Sequence, residues 1–225
     1  ACGMSLDEIQ IAATPASFEP TIDYVVTKFP RFPFDKFTTA NRSLSTQMKA
    51  TGEVMSIGRT FEESLLKSIR SLENKVNHVE LDYLKEYTVE QLIDFIGEHT
   101  DERIFAIGEA FRKGVSIDDI YSITKIDRLF LEKILNIIKF EIEIENNIFN
   151  VNVLKEAKRI GFADRKKKKK WNVTEGDIYL FRKENNLFFN TQCIVSASVE
   201  SSFAYAVEVT YTWQRNIEQL IKEFI

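Results

Sequence analysis

Cysteine and histidine are scarce in this chain of 225 residues, which contains two of each. Cys2 and Cys193 form neither a disulfide framework nor a metal-ligand spacing, and this usage favours a reducing, cytoplasmic setting. His78 and His99 have no cysteine beside them, so a zinc site is not expected. We therefore predict a cytoplasmic protein whose sequence supplies no metal site.

Glycine is also scarce, and none of the eight glycines belongs to a phosphate-binding loop. No apolar run approaches the ~20 residues that a membrane-spanning helix needs, and the first residues show no signal-peptide pattern. The formal net charge of −4 argues against a chain built mainly to hold nucleic acid. With 44% hydrophobic and 28% charged residues, the composition is typical of globular protein, and we expect neither membrane nor nucleic acid as a partner.

The most informative stretch, residues 45–73, predicts a strand, a tight turn and an amphipathic helix. Gly52 and Gly58 bracket a short apolar run, as glycines do where a strand closely approaches another backbone. Thr60 and Glu63 have the spacing of a capping box at the start of the helix. The helix would place five apolar side chains on one stripe, namely Phe61, Leu65, Leu66, Ile69 and Leu72.

Upstream of this stretch, residues 5–9 predict a capped helical turn and the β-branched residues of 21–28 predict a strand. Pro30 and Pro33 then favour an extended connection. Four phenylalanines cluster there, and we interpret them as packing under a loop rather than as a ligand site: Phe29, Phe32, Phe34 and Phe37. A few strands and one helix give too little core for independent stability, so further polypeptide is expected to complete this segment.

From about residue 75 the pattern changes to short helices, after a polar and turn-rich stretch, 74–86, that we interpret as a linker. Helices are predicted over 88–95, after a cap at Thr100 or Asp101, after Ser116, from Asp127, over 150–160 and over 174–185. The helix after Ser116 would carry Ile117, Ile120 and Ile123, and the helix from Asp127 would carry Phe130, Leu131, Ile134, Leu135, Ile138 and Ile142. Together they predict an all-α bundle without coiled-coil spacing.

The sequence of residues 14–73 resembles the end of the first ATP-grasp (carboxyphosphate) domain in the large subunit of carbamoyl-phosphate synthase. The resemblance is carried above all by residues 14–20, 29–37 and 45–73. The helical oligomerisation domain of the same subunit is similar to residues 100–105, 114–116, 124–131 and 158–164.

The resemblance implies an α+β fragment followed by an all-α part, that is, a partial ATP-grasp sheet with one long helix and then a bundle of short helices. It divides the chain into residues 1–75, the C-terminal part of the carboxyphosphate domain, residues 76–190, the oligomerisation domain, and residues 191–225, a linker or divergent tail. In this tail, 193–195 and 206–212 look extended, and 213–225 predicts an amphipathic helix.

The resemblance also implies a function. The parent enzyme is a ligase that makes carbamoyl phosphate from bicarbonate, ATP and ammonia from glutamine, with Mg²⁺ or Mn²⁺, in pyrimidine and arginine biosynthesis. The family's ATP and metal motifs precede residue 1 in its order, so we expect no catalytic, cofactor-binding or metal residue in this chain. The implied partners are the remainder of the large subunit, the glutaminase small subunit and further copies, joined through the helical part.

Three residues, Ile22, Met48 and Thr51, are implied by the resemblance to border the tunnel that carries the unstable intermediate. Apolar and small side chains suit a dry wall, since water would hydrolyse the passenger. Packing within a sheet explains the same residues equally well, so both interpretations stand at this point.

Other features allow a functional and a structural interpretation. The run Lys166–Lys170, preceded by Arg165, could bind an anionic surface, but a solvated loop is the simpler interpretation. Residues 115–134 could form a helix-turn-helix with Arg128 and Lys133 facing bases, but the second helix is otherwise apolar, which favours bundle packing. A small helical nucleic-acid-binding module is therefore the alternative function.

Five acidic residues and an arginine complete the candidates. Glu53 and Arg59 flank the glycine-bracketed strand and could touch an anionic substrate, although ion pairs are the favoured interpretation. The pairs Glu62–Glu63 and Asp118–Asp119 stand at helix starts, where the helix macrodipole explains them without catalysis.

Overall fold

The computed structural model describes residues 3–11, 13–18, 23–72, 74–164, 171, 173–187, 194–198 and 205–207. Within these residues, short antiparallel strands and one helix precede a bundle of further helices, and two strands follow the bundle. The predicted mixed α+β start followed by helices is thus confirmed in general. Ile22, the lysine run, Cys2, Cys193 and residues 208–225 lie outside the described residues.

The main sheet has four antiparallel strands in the order β3-β4-β5-β6, and a small hairpin of β1 and β2 precedes it. The strands are β1 (Gln10–Ile11), β2 (Thr14–Pro15), β3 (Val25–Arg31), β4 (Gly52–Gly58), β5 (Ile194–Ser198) and β6 (Tyr205–Val207). Residues 5–9 contain a turn in which the Glu8 N–H donates to the Ser5 carbonyl oxygen at 3.2 Å and Glu8 Oε2 accepts the Ser5 N–H at 2.7 Å, so the predicted capped turn is confirmed, as a single turn that is not part of a helix. In β3 and β4, Val26 lies opposite Ile57 and Pro30 opposite Glu53.

The extended backbone predicted at Pro30 and Pro33 is confirmed at Pro30 and wrong at Pro33. Pro30 lies inside β3, which tolerates it because β3 is an edge strand and proline lacks only a backbone donor. Pro33 opens a short 3₁₀ helix, Pro33–Asp35, since its fixed φ angle suits a first helical position.

The seven α-helices among the described residues are α1 (Phe61–Ser71), α2 (Val89–Gly97), α3 (Arg103–Arg112), α4 (Ile117–Thr124), α5 (Arg128–Asn146), α6 (Val151–Ile160) and α7 (Glu175–Glu184). The predicted caps at Thr60, Ser116, Asp127 and Thr174 are confirmed, because each side-chain oxygen accepts a hydrogen bond from a first-turn N–H group. Gly161 ends α6 in the left-handed region, with φ of 99°.

Two predicted caps are wrong because long-range or neighbouring partners take the side chains. Glu63 does not reach back to Thr60; its Oε2 accepts the N–H of Arg59 at 2.8 Å. Helix α3 begins after Glu102 without a side-chain cap, and Asp101 binds Arg42 instead.

The stretch interpreted as a linker, residues 74–86, is packed into the protein, so that prediction is wrong. His78, Val79 and Leu84 are almost fully buried, and Asp82–Glu86 forms a short 3₁₀ helix. A methyl group at Gly108 of α3 would lie 2.8 Å from Val79 Cγ1, so this glycine makes room for the segment. Burial of this segment could not be predicted from the sequence, because its apolar residues are isolated among polar ones and show neither helical nor strand periodicity.

One hydrophobic core joins the sheet's helix to the bundle, because Leu65, Leu66 and Ile69 of α1 belong to the same cluster as the bundle residues. Most of the predicted α5 stripe is buried, but Phe130 and Ile142 are 44% and 52% exposed. The buried face of α5 also includes Ile137, Glu141 and Ile144, which follow the same helical period.

Candidate functional site

The sheet is covered on one face by α1, the only described helix that packs extensively against it. Along β3 and β4, the α1 face contains the buried Val54 and Ser56, while Val26 on the opposite face is 40% exposed. Lys28 Nζ lies 2.8 Å from Glu53 Oε2, which confirms the ion-pair interpretation of Glu53. Arg59 is exposed at the end of β4. The outer face therefore offers an apolar surface with one exposed ion pair.

The described tunnel candidates lie in the segment that leads into β4. Met48 is 75% exposed, and Thr51 is exposed with its backbone N–H bound to the Arg31 carbonyl oxygen at 3.0 Å. Their tunnel role stays a prediction.

Helix α1 is attached to the sheet by hydroxyl groups that the sequence reasoning missed. Ser64 Oγ donates to Thr27 Oγ1 at 2.7 Å, and Ser56 Oγ donates to the Ser64 carbonyl oxygen at 2.6 Å. Ser68 Oγ lies 2.5 Å from Ser56 Oγ. A methyl group at Gly58 would lie 2.8 Å from the Ser64 nitrogen, so the helix sits very close to β4. Ser64 and Ser68 are four residues apart and so lie on one face of α1, and this spacing could have predicted a polar contact with the sheet.

On its other side α1 meets the end of α6. A methyl group at Gly161 would lie 3.0 Å from Glu63 Cα, and Arg70 Nη1 donates to the Gly161 carbonyl oxygen at 2.7 Å. Burial lowers the pKa of the Arg70 guanidinium to about 10, with Glu63 and Asp164 acting in the opposite direction. Arg70 therefore remains charged at neutral pH and tethers the two helices.

Asp164 binds two cations beside this contact. Its carboxylate lies 2.7 Å from Lys158 Nζ and 2.6 Å from Arg182 Nη1. Burial lowers the pKa of Lys158, and the charge of Asp164 opposes this. The cluster joins α6 to α7 by paired charges, which is a structural role.

A second ionic cluster lies inside the bundle. Arg112 Nη2 is 2.7 Å from Glu141 Oε2 and donates to the Val79 carbonyl oxygen at 2.9 Å, and Arg112 Nη1 is 3.2 Å from Glu109. His78 Nε2 is 3.6 Å from Glu141 Oε2. Histidine and carboxylate could in principle exchange protons, but these two side chains are only 2% and 4% exposed, so a substrate cannot reach them. The cluster is structural.

A cleft of about 230 Å³ lies where the segment after β3 meets the helices. Phe32 and Phe34 stack within it at 5.7 Å, and Arg42 binds both oxygens of Asp101 at 2.9 and 2.7 Å. Arg42 also contacts Glu102 at 2.8 Å, and these carboxylates, Asp101 first, raise the pKa of its guanidinium. Because its charges pair with one another, the cleft fastens this segment to α3.

The helix-turn-helix candidate is formed by α4 and α5. Arg128 Nη2 is 2.9 Å from Asp118, and its guanidinium lies 3.8 Å from the centre of the Tyr121 ring. Asp119 Oδ2 accepts the Ser116 hydroxyl at 2.6 Å. Arg128, Asp118 and Asp119 therefore form their contacts with residues of α4, α5 and the cap of α4.

The other acidic pair stands at the start of α1, where the macrodipole favours negative charge. Glu62 is 8% exposed, and its Oε1 lies 3.5 Å from Lys133 Nζ. Glu63 lies 3.3 Å from Lys67 Nζ. Both carboxylates therefore form ion pairs with lysine side chains.

A surface groove between α2 and α4, which we call the α2/α4 groove, has a volume of about 420 Å³. Val89 and Ile123 in its wall are 42% and 37% exposed. Of the three isoleucines that the sequence places on α4, Ile120 alone is fully buried. The residues around the groove are Val89, Ile93, Lys113, Gly114, Val115, Asp119, Ser122 and Ile123.

No group of three or more histidine, cysteine, aspartate or glutamate side chains is arranged to hold a metal ion in the part of the chain that the structure describes. None of the helices described there combines the length and apolar character needed to cross a bilayer.

Residues 53–186 match the family model for the oligomerisation domain of the carbamoyl-phosphate synthetase large chain. The matched range begins in β4, contains all of α1 to α7 and ends after α7. It includes the shared core, both ionic clusters and the α2/α4 groove. The chain therefore belongs to the family of carbamoyl-phosphate synthetase large-chain oligomerisation domains.

Proposed function

We propose that the chain is an association and scaffolding part of a carbamoyl-phosphate synthetase large chain and contributes no catalytic residue of its own. One observation carries this proposal: a sheet that α1 covers on one face is joined through a single core to a closed helical bundle. The parent reaction would be the ATP-dependent ligation of bicarbonate and ammonia into carbamoyl phosphate, in the cytoplasm, for pyrimidine and arginine synthesis.

In this proposal the remainder of the large chain completes the ATP-grasp domain by covering the outer face of the sheet, where Val26 is exposed. Met48 and Thr51, with Ile22, would then border the tunnel. ATP and Mg²⁺ or Mn²⁺ would bind to the remainder of the enzyme, and the glutaminase small subunit would bind there too.

The first experiment is a calorimetric titration of the isolated chain with ATP and Mg²⁺. We expect no heat of binding, because the described polar clusters pair their charges internally and the covered sheet face is filled by α1. Micromolar affinity would overturn the proposal that this part lacks a nucleotide site.

The second experiment is sedimentation velocity over a dilution series of the full chain. We expect the sedimentation coefficient to rise with concentration, as copies associate through the helical part. A monomer at every concentration would overturn the association role.

The alternative, a nucleic-acid-binding module, is tested by a gel shift with duplex DNA at low salt. It predicts binding that weakens steeply as salt is added. The pairing of Arg128 with Asp118 does not favour it, because this cation is already engaged within the helix pair.

A further inference from the structure

The α2/α4 groove differs from the other described pockets because exposed apolar side chains, those of Val89 and Ile123, line it. Val89 and Ile93 come from α2, Val115 from the turn after α3, and Ile123 from α4, and all line one depression. Gly97 of α2 adds no side chain beside Ile123; a methyl group there would lie 3.9 Å from Ile123 Cγ2. Contiguous exposed apolar surface marks an interaction site more reliably than scattered residues do.

We propose that the α2/α4 groove is the surface through which two copies of this chain pair across a two-fold axis. The inference rests on the proposed function, the association of copies, and names the surface that performs it. In such a pair the same groove of both copies would meet, so that Val89 and Ile123 of one copy pack against the groove of the other.

The charges around the groove favour a second copy as its occupant. A two-fold interface brings one patch against itself, so it is complementary only if the patch has both signs of charge. Lys113 and Asp119 supply one of each, and neither forms an ion pair within the described part of the chain. The rotated copy would place each Lys113 near the Asp119 of the other copy.

The positions of both charges are fixed before any partner binds. Lys113 Nζ donates to the Lys85 and Tyr87 carbonyl oxygens at 2.8 and 2.6 Å, which holds the ammonium group beside the groove. Asp119 is held by the Ser116 hydroxyl at 2.6 Å. Pre-positioned side chains lose less conformational entropy on binding, which favours association.

Other exposed apolar residues are weaker candidates. The outer face of the sheet is assigned to the remainder of the large chain. On α5, Ile142 is 52% exposed but lies next to Glu143, which is also exposed, and it lines no described groove. Ile142 is therefore a matched control, since it is as exposed as the groove residues and lies on a different helix.

The test uses the full chain and single charged substitutions chosen to suit the helix ends. Val89 is the first residue of α2, where a carboxylate is favourable, and Ile123 is near the end of α4, where a cation is favourable. Val89→Glu and Ile123→Lys should therefore fold normally, as thermal melting checks. Each should raise the dimer dissociation constant by about 100-fold, the effect of losing a central interface contact.

The control Ile142→Lys should leave the dissociation constant unchanged. The neutral substitutions Lys113→Met and Asp119→Asn should each weaken the dimer, and the double variant should lose less affinity than the sum of the two single losses, because the pair between copies is lost only once. Additive losses would mean that these two side chains do not meet across the interface.

The outcomes separate the two levels of the proposal. A wild-type chain that stays monomeric overturns the association role and the groove together. A wild type that associates while Val89→Glu and Ile123→Lys associate equally well overturns the groove alone. Weakening by Ile142→Lys as strong as that by Ile123→Lys also overturns it, since the effect would then not be specific to the groove.

Discussion

Helix α1 presents one side to the sheet and another to the bundle, and the two contacts are built from different side chains. Toward the sheet, Ser64 and Ser68 make short hydrogen bonds with Thr27 and Ser56. Toward the bundle, Leu66 and its apolar neighbours enter the main core. The sheet thus uses one helix and hydroxyl groups, whereas the bundle encloses its core on all sides. Among the described residues, α1 is the helix that covers the four strands, and it covers one face of them.

The largest expected effect contrasts a buried ion pair with an exposed one. Arg112→Met should lower the free energy of unfolding by about 3 to 5 kcal/mol, because it removes the guanidinium that lies against the buried carboxylates of Glu109 and Glu141. Lys28→Met, which removes the partner of Glu53 on the outer sheet face, should cost below about 1 kcal/mol. Urea unfolding of both variants gives the comparison. Equal losses would show that the sheet pair is as buried as the bundle pair.

The next effect compares apolar residues in the two parts. Leu66→Ala should destabilise the protein by about 2 to 5 kcal/mol, because Leu66 is 1% exposed and its removal leaves a cavity. Val26→Ala on the outer sheet face should change the free energy of unfolding by less than about 0.5 kcal/mol. Thermal and urea unfolding measure both. A large loss for Val26→Ala would mean that this face is covered in the isolated chain.

A smaller effect tests the contact between the two parts. Gly161 and Gly114 both have positive φ, 99° and 83°, and a side chain there costs about 1 to 2 kcal/mol in strain. A methyl group at Gly114 would meet no atom within 4 Å, whereas one at Gly161 would lie 3.0 Å from Glu63 Cα. Gly161→Ala should therefore destabilise more than Gly114→Ala by about 1 kcal/mol, the cost of crowding a packed site.

Calorimetric melting of the two glycine variants measures this difference, with Gly114→Ala as the control for strain alone. Identical melting temperatures would show that α1 and α6 separate easily and that the junction is not tightly packed.

Local features of this fold could be predicted from sequence, because each depends on residues close together in the chain. The caps at Thr60 and Asp127, the strand between Gly52 and Gly58 and the helix end at Gly161 are examples. Extended structure near residues 194 and 206 was also visible in the sequence. The family of the helical part could be recognised from its amino-acid sequence.

Contacts between distant residues could not be predicted. Arg42 and Asp101 are 59 positions apart, and nothing near Asp101 shows that its carboxylate binds an arginine rather than a helix N-terminus. The pairing of β4 with β5 joins residues on either side of the whole bundle. The exposure of Val89 and Ile123 depends on how α2 and α4 lie side by side, which helical periodicity does not specify.

The burial of residues 74–86 also has a mechanical consequence. With His78 and Val79 inside the core, this stretch provides no free hinge between the strands and the later helices. Arg70 adds a direct tether from α1 to the end of α6. A tilt imposed on the sheet by its neighbours would therefore be passed to the helices as the turn of a rigid body, and any second copy held by those helices would turn with it.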